Sequence, residues 1–448
     1  MNRPVVPLDK PMSHVGDEIA GIPLDFPRRR GWLAGAGGTA LLLFGFFLSA
    51  VVLFIGGVGI WGVNSPVFWG VAIMNYVWWV GIGNAGTLIS GLLLLLDQVW
   101  RNALNRFAEA MAVFAIICAG VYPILHLGRP WLFYWMFPYP SEMGVWPQFR
   151  SPLTWDVFAI LIYLLVSILF WYLGLIPDLA TVRDRAKGRL AQVFYGVLAL
   201  GWRGSARHWL RWKQAYHFSA AIAVPLVFSV HSEVGMLFSA SQLAGWHSTF
   251  FPPFFVVGAA FSGFGVVTML AIVIRQTLHL EDLVTDFHLD ALARITLGLS
   301  LLMGYCYWWD MFNSVYSGDR YELRAVHDKL VGAYAWSFWT TQFLNVVVPH
   351  IFWIRRARRN LVVLFLVGLA VTIGMWFERY MLVVTTLYHG FLPSSWNYYI
   401  PTFWDWAVFA GTIGLFLFPY FLFVRFLPPV SIAEIKEKIL ELQRERRA

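Results

Sequence analysis

The chain has 448 residues, of which 59% are hydrophobic, 18% aromatic and only 13% charged, and its mean hydropathy is +0.62. A soluble globule carries charge on about a quarter of its residues, so this composition excludes one and describes a polytopic membrane protein. The net charge of +8 does not point to nucleic acid, because the basic residues lie in short loops between apolar runs, where they orient a membrane protein.

In chain order, residues 1–31 form an N-terminal segment that ends in Arg28, Arg29 and Arg30. The apolar run that follows, from Trp32 to about Trp61, is too long for a signal-peptide core and lacks a small-residue cleavage site, so it is expected to remain as a span. A bilayer crossing takes about 20 apolar residues. By that measure ten spans are predicted, at 33–60, 66–96, 107–130, 153–175, 214–240, 252–275, 292–316, 331–353, 361–387 and 402–428. An even number puts both termini on one side. Of the 33 Lys and Arg residues, 27 fall on that side, five on the other and Arg379 inside a span. The bias predicts cytoplasmic termini, with outer loops at 131–150, 241–251, 317–330 and 388–401.

The order of polar intrusions suggests a duplication. Spans two to five and six to nine would form two four-helix bundles, flanked by spans one and ten. The predicted units are 32–240, 241–430 and a cytoplasmic tail at 431–448. The tail SIAEIKEKILELQRERRA opens with a capping-box pattern, Ser431 and Glu434, and places Ile435, Ile439 and Leu442 on one face. It reads as an amphipathic helix lying on the bilayer or on a partner.

Ionisable groups in hydrocarbon cost roughly 2.5–3.5 kcal/mol each on insertion scales, so those present are candidates for function. His126 lies near the end of span three and Asp156 near the start of span four, at matching depth on consecutive antiparallel helices. A carboxylate beside an imidazole fixes its tautomer and raises its basicity, which suits a base that takes a proton from a bound hydroxyl. A structural hydrogen bond between two helices is the plainer alternative. Arg129 and Arg150 flank the pair at the interface, where snorkelling alone would also place them.

His217 and His231 are fourteen residues apart on one helix face, the spacing of a di-haem helix, but no second helix supplies a matching pair. Two cysteines, Cys118 and Cys306, are too few for an iron–sulfur cluster or a zinc site, which take about four ligands. The chain is therefore expected to hold no metal, haem or cluster of its own. His217, His231, Glu233, Asp310, Glu378 and Arg379 read as a proton path or as structural polar groups. Glu378 and Arg379 project about 100° apart, so each is expected to find its partner on another span. The many tryptophans, as in VWW at 77–79 and YWWD at 307–310, suit an interfacial belt or the core.

Several segments together resemble a known family: NYVWWVGIGNAGTLIS (75–90), NRFAEAMAVFAIICAGVYPILHLGRPW (105–131), WPQFRSPLTWDVFA (146–159) and FWYLGLIPDLATVRDRA (170–186). They are similar to the NrfD/PsrC-like quinone-interacting membrane subunits, and more closely to the ActC-type subunit of bacterial alternative complex III. The match is dense over 60–240 and looser beyond. The resemblance implies a quinol site near the outer face of the first bundle, with menaquinol as substrate and His126 and Asp156 as its acid–base groups. Tyr122, Trp155, Asn84, Arg129 and Arg150 would line it. Asn84 stands where the family pattern often has His, and an amide does not titrate near neutrality. The resemblance also implies a bacterial inner membrane, an outer iron–sulfur subunit, c-type haem subunits and a second NrfD-like subunit as partners. Two other readings stay open: the membrane anchor of a molybdopterin reductase of the polysulfide-reductase type, and a secondary transporter. The transporter lacks its usual sign, a pair of Gly/Pro-broken helices at matching repeat positions.

Overall fold

The computed structural model describes residues 11–26, 29–137 and 152–445. Within these the chain is helical throughout, with no strand. The helices are α1 (Met12–Asp25), α2 (Arg29–Gly56), α3 (Gly70–Leu95), α4 (Asn105–His126), α5 (Pro152–Arg185), α6 (Arg189–Leu198) and α7 (Ala206–Ser239). They continue as α8 (Phe251–Leu278), α9 (Asp286–Ser317), α10 (Arg320–Val331), α11 (Ala335–Gln342), α12 (Leu361–Thr385), α13 (Phe403–Phe426) and α14 (Ile432–Glu445). Among the described residues nine of these are long and apolar enough to cross a membrane.

The eighth predicted span is a composite. Helix α11 stops at Gln342 and runs on through a π-turn, Phe343–Val347, and a 3₁₀ stretch, Val348–Trp353. Pro349 lacks the N–H that would continue the α-helix, and Asn345 turns inward to donate to Tyr307 Oη (2.9 Å). The segment still covers 335–353, close to the 331–353 read from hydropathy.

Helices α3, α4, α5 and α7 pack as one bundle, and α8, α9, α11 with its continuation, and α12 as a second. Helix α3 is the hub. It is apolar all round because it is buried all round, touching α4 and α7 within its bundle, α8 and α12 in the other, and α13 outside both. Two glycines allow that crowding: a Cβ on Gly86 would collide with the Ala108 carbonyl oxygen, and one on Gly263 would collide with the Ala85 Cβ. Helices α2 and α13 pair along their length on the outside.

Helix α14 packs against α1 and α5, so both described terminal helices lie at one end of the spans. That end is called terminal below and the opposite end distal. Ile432, Ile435 and Ile439 are buried against the chain's own bundle, so the tail's surface is provided in cis rather than by bilayer or partner. Its capping box is half-formed. Ser431 Oγ accepts from Glu434 N (3.4 Å), but the Glu434 carboxylate turns away to Arg101 and Asn105.

Burial pushes the Glu434 carboxyl up, and the attraction of Arg101 and Arg106 with the bonds from Arg101 and Asn105 more than offsets this, so it sits below the ordinary glutamate range. A carboxyl held low in the folded state gives stability that is complete above its unfolded value, about 4.3, and is lost as pH falls through the lower folded one. Hydrogen exchange should therefore find the α14 amides equally protected at pH 7 and pH 5, with loosening only in stronger acid. Loosening already between pH 7 and 5 would contradict the assignment.

Candidate functional site

At the distal end of the first bundle, three helices bring protonatable groups to one place. Asp156 lies one turn into α5 and is buried, and Tyr76 of α3 donates its hydroxyl to Asp156 Oδ1. The Glu233 carboxyl of α7 lies close enough to Asp156 for the two acids to interact electrostatically. Both Glu233 oxygens are buried with no donor on them. Two carboxylates offer only acceptors, so this contact becomes a hydrogen bond when one of the pair carries a proton.

His126 does not reach Asp156: no hydrogen bond or ion pair joins them among the described residues. Its Nε2–H donates to the Phe68 carbonyl (3.0 Å), and its ring lies beside Trp61, with centroids 6.3 Å apart. The Phe68 contact fixes the tautomer that the sequence reading gave to a carboxylate, and it leaves Nδ1 with the lone pair that can accept a hydroxyl proton. Matching depth placed the two residues on a level. The rotation of α5 turns Asp156 toward α3 and α7 instead.

Further in, His231 of α7 is buried with neither ring nitrogen bonded, and Arg379 of α12 is within electrostatic range of it. Asn84 is likewise buried with both amide atoms unpartnered, and so is the amide nitrogen of Asn75. Orphaned polar atoms of this kind are rare in a folded interior, because each costs about 1–3 kcal/mol unless something satisfies it.

The other predicted residues are distributed as follows. Tyr122 places its hydroxyl 3.0 Å from Thr412 Oγ1, where it meets the Trp79 indole and ties α4 and α3 to α13. Arg129 and Trp155 are exposed at the distal surface, and Arg150 lies outside the described residues. His217 sits toward the terminal end of α7, exposed and bonded to the Lys213 carbonyl (2.9 Å), so it shares no environment with His231. Asp310 pairs with the buried Lys329 (2.8 Å) at the edge of a separate distal cleft in the second bundle. Glu378 and Arg379 pair with each other (2.6 Å) and each also meets another span, Glu378 lying near Tyr307 of α9. The Arg379 guanidinium also lies over the Phe255 ring, 4.4 Å from its centroid.

Sequence reasoning missed Tyr76, which is hidden in an apolar run and given away only by its hydroxyl. It also missed a charged centre at the terminal end. Arg106 is fully buried. It donates to Asp178 (3.0 Å), Glu109 (3.1 Å), Tyr216 (3.1 Å), the Gly174 carbonyl (2.6 Å) and Ser431 (3.1 Å). The signal was an Arg–Glu pair at i, i+3 opening an apolar run.

A family model described as "Polysulphide reductase, NrfD" matches residues 41–389. The chain belongs to this family. Similar proteins include the C subunit of the selenate reductase of Mesobacillus selenatarsenatis, 22% identical over 383 residues, 80% of this chain and 85% of that protein. The membrane C subunit of a putative dimethyl sulfoxide reductase of Halobacterium salinarum is 26% identical over 445 residues, 89% of this chain and 91% of the other. The "Hdr-like menaquinol oxidoreductase integral membrane subunit" of Archaeoglobus fulgidus is 21% identical over 308 residues, 65% and 64% of the two chains. The NrfD match contains both bundles with the distal acid pair, and it stops before α13 and α14.

Proposed function

We propose that this NrfD-family chain is the quinol-oxidising membrane subunit of a multi-subunit redox enzyme. The observation that carries the reading is the buried Asp156–Glu233 pair with the Tyr76 hydroxyl, set below His126 at the distal end of the first bundle. Quinol oxidation gives quinone, two protons and two electrons. His126 Nδ1 accepts the hydrogen bond and then the proton of one hydroxyl. The Asp156–Glu233 pair takes the other, and Tyr76 holds Asp156 in place. The electrons leave to an iron–sulfur subunit docked over the distal face. With the charge bias of the loops, that face is the outer one, the termini are cytoplasmic, and the protons leave outward.

The relatives' names favour a reductase-type catalytic partner, as in a molybdopterin enzyme. The motif likeness over 60–240 favours alternative complex III, with c-type haem subunits and a second NrfD-like subunit. The haem spectrum of the purified native complex separates the two. The shared reading is tested by menaquinol oxidation in that complex. His126→Ala is expected to lower turnover on the order of 10²-fold, for lost general-base assistance. Wild-type turnover in that variant would overturn the role given to the imidazole.

A further inference from the structure

Helix α6, Arg189–Leu198, crosses no membrane, yet it leaves a large apolar face uncovered. Leu190, Val193, Phe194 and Val197 recur at i, i+3, i+4 and i+7, one face of a helix, and they are 89%, 55%, 50% and 68% exposed. Leu200, just past the C-terminal end, extends the stripe at 68% exposed. The opposite side of the helix is pinned to the bundle. Tyr195 donates to the carbonyl of Phe426, the last residue of α13 (3.0 Å), and Tyr172 of α5 donates to the Leu198 carbonyl (2.7 Å). These two bonds hold α6 against α5 at the level of the terminal end of α13.

Two further features lie at that level. Trp202, Trp209 and Trp212 pack edge to face beside α6, the amphipathic ring type enriched where hydrocarbon meets water. The segment also carries Lys187, Arg189, Arg203, Arg207 and Arg211, all exposed, and none has an acidic partner within 4 Å among the described residues. The neighbouring cations are answered within the protein: Arg183 pairs with Asp184 (2.8 Å), Arg185 with Asp17 (2.5 Å), and Lys213 with Glu437. The unanswered five flank the apolar stripe along the chain, two at its start and three after its end.

We propose that α6 is an interfacial helix whose apolar face lies in the leaflet at the terminal end, and that Lys187, Arg189, Arg203, Arg207 and Arg211 bind the phosphates of anionic phospholipids there. An apolar face flanked by unpaired cations matches the acyl chain and the charged headgroup of one such lipid. A zwitterionic lipid meets the stripe equally well and offers the cations less. The proposal is independent of the distal redox site.

The test uses the purified full chain, with phosphatidylglycerol and phosphatidylcholine as probes. Native mass spectrometry should show phosphatidylglycerol retained preferentially by the wild type. In K187Q/R189Q/R203Q/R207Q/R211Q that preference should fall by roughly 10-fold or more, as expected for several surface charges each favoured by an anionic leaflet. A control, R355Q/R356Q/R359Q, neutralises three exposed arginines in another loop of the same end and should keep the preference. Equal loss in the control, or no loss in the five-fold variant, overturns the proposal. A second measurement does not depend on the arginine variants. Cys118 and Cys306 are buried, so a spin label on V193C is selective. In bilayers the label should be more accessible to oxygen than to a water-soluble nickel chelate, and the reverse order would mean that the stripe faces water or a soluble partner.

Discussion

Asp156→Asn is expected to lower quinol oxidation on the order of 10²-fold or more, with the complex still assembled. Asparagine keeps the shape and still accepts the Tyr76 hydrogen bond through its side-chain oxygen, so the packing of α5 against α3 is preserved. What is lost is the ability to hold a proton opposite Glu233. Glu233→Gln removes the same capacity from the other side and should give a loss of similar size. In the proposed mechanism the two acids act as one proton-holding unit, so the double variant should be little worse than the worse single one. Tyr76→Phe removes a donor from Asp156 without touching either acid, and a smaller loss is expected. The measurement is menaquinol-dependent electron transfer in purified complexes whose polypeptide composition has been checked by gel. Wild-type turnover in both acid variants would leave the pair a purely structural contact. Losses that multiply in the double variant would separate the two carboxyls into independent roles.

The predicted His126–Asp156 pair and the observed Asp156–Glu233 pair show what a sequence reports well and what it leaves out. Span positions were legible because hydrocarbon imposes a length and a composition on each helix, and depth follows from counting residues at 1.5 Å each. That put His126 and Asp156 correctly at one end of the bundle. Contact also requires azimuth. The rotation of α5 is set by packing against α3, α4 and α7, through close approaches such as Gly86 on Ala108 that no single segment announces. Glu233 was legible as an intramembrane carboxyl, and its partner was not. Glu378 and Arg379 meet separate partners on other spans, as helical angle argued, and a flexible guanidinium adds the local ion pair that angle alone does not report. The tail was legible as amphipathic, but the face it covers belongs to residues from 255 to 333 positions earlier in the bonds to Asp178 and Arg101.

The terminal-end network yields the largest expected effect on stability. Among the described residues Arg106 is the cation within 4 Å of Glu109 and Asp178, and its Nη2 is also 3.7 Å from Glu434, whose main partner is Arg101. Within ion-pair distance, and among the described residues, two guanidiniums serve three buried carboxyls. Arg106→Met would leave one guanidinium to three acids, with the Ser431 hydroxyl and the Gly174 carbonyl also stripped of their donor. Removing one side of a buried pair costs roughly 3–5 kcal/mol, because the remaining charge is left uncompensated. The variant should therefore unfold at a markedly lower temperature, and its tail should become open to protease, since Ser431 and Glu434 hold α14 on the bundle. Arg106→Lys keeps the charge but cannot span five acceptors with one ammonium, so it should fall between. The decisive variant is R106M/E109Q/D178N. It removes the stranded charges, and the side-chain amide that replaces the Asp178 carboxylate can still accept from the Ala433 amide, a bond of 2.8 Å in the wild type. If uncompensated charge is the cause, the triple variant should regain part of the stability lost in R106M. If the guanidinium matters only as packing volume, it should regain none, and equal thermal stability of R106M and wild type would remove the network from the forces that hold the fold.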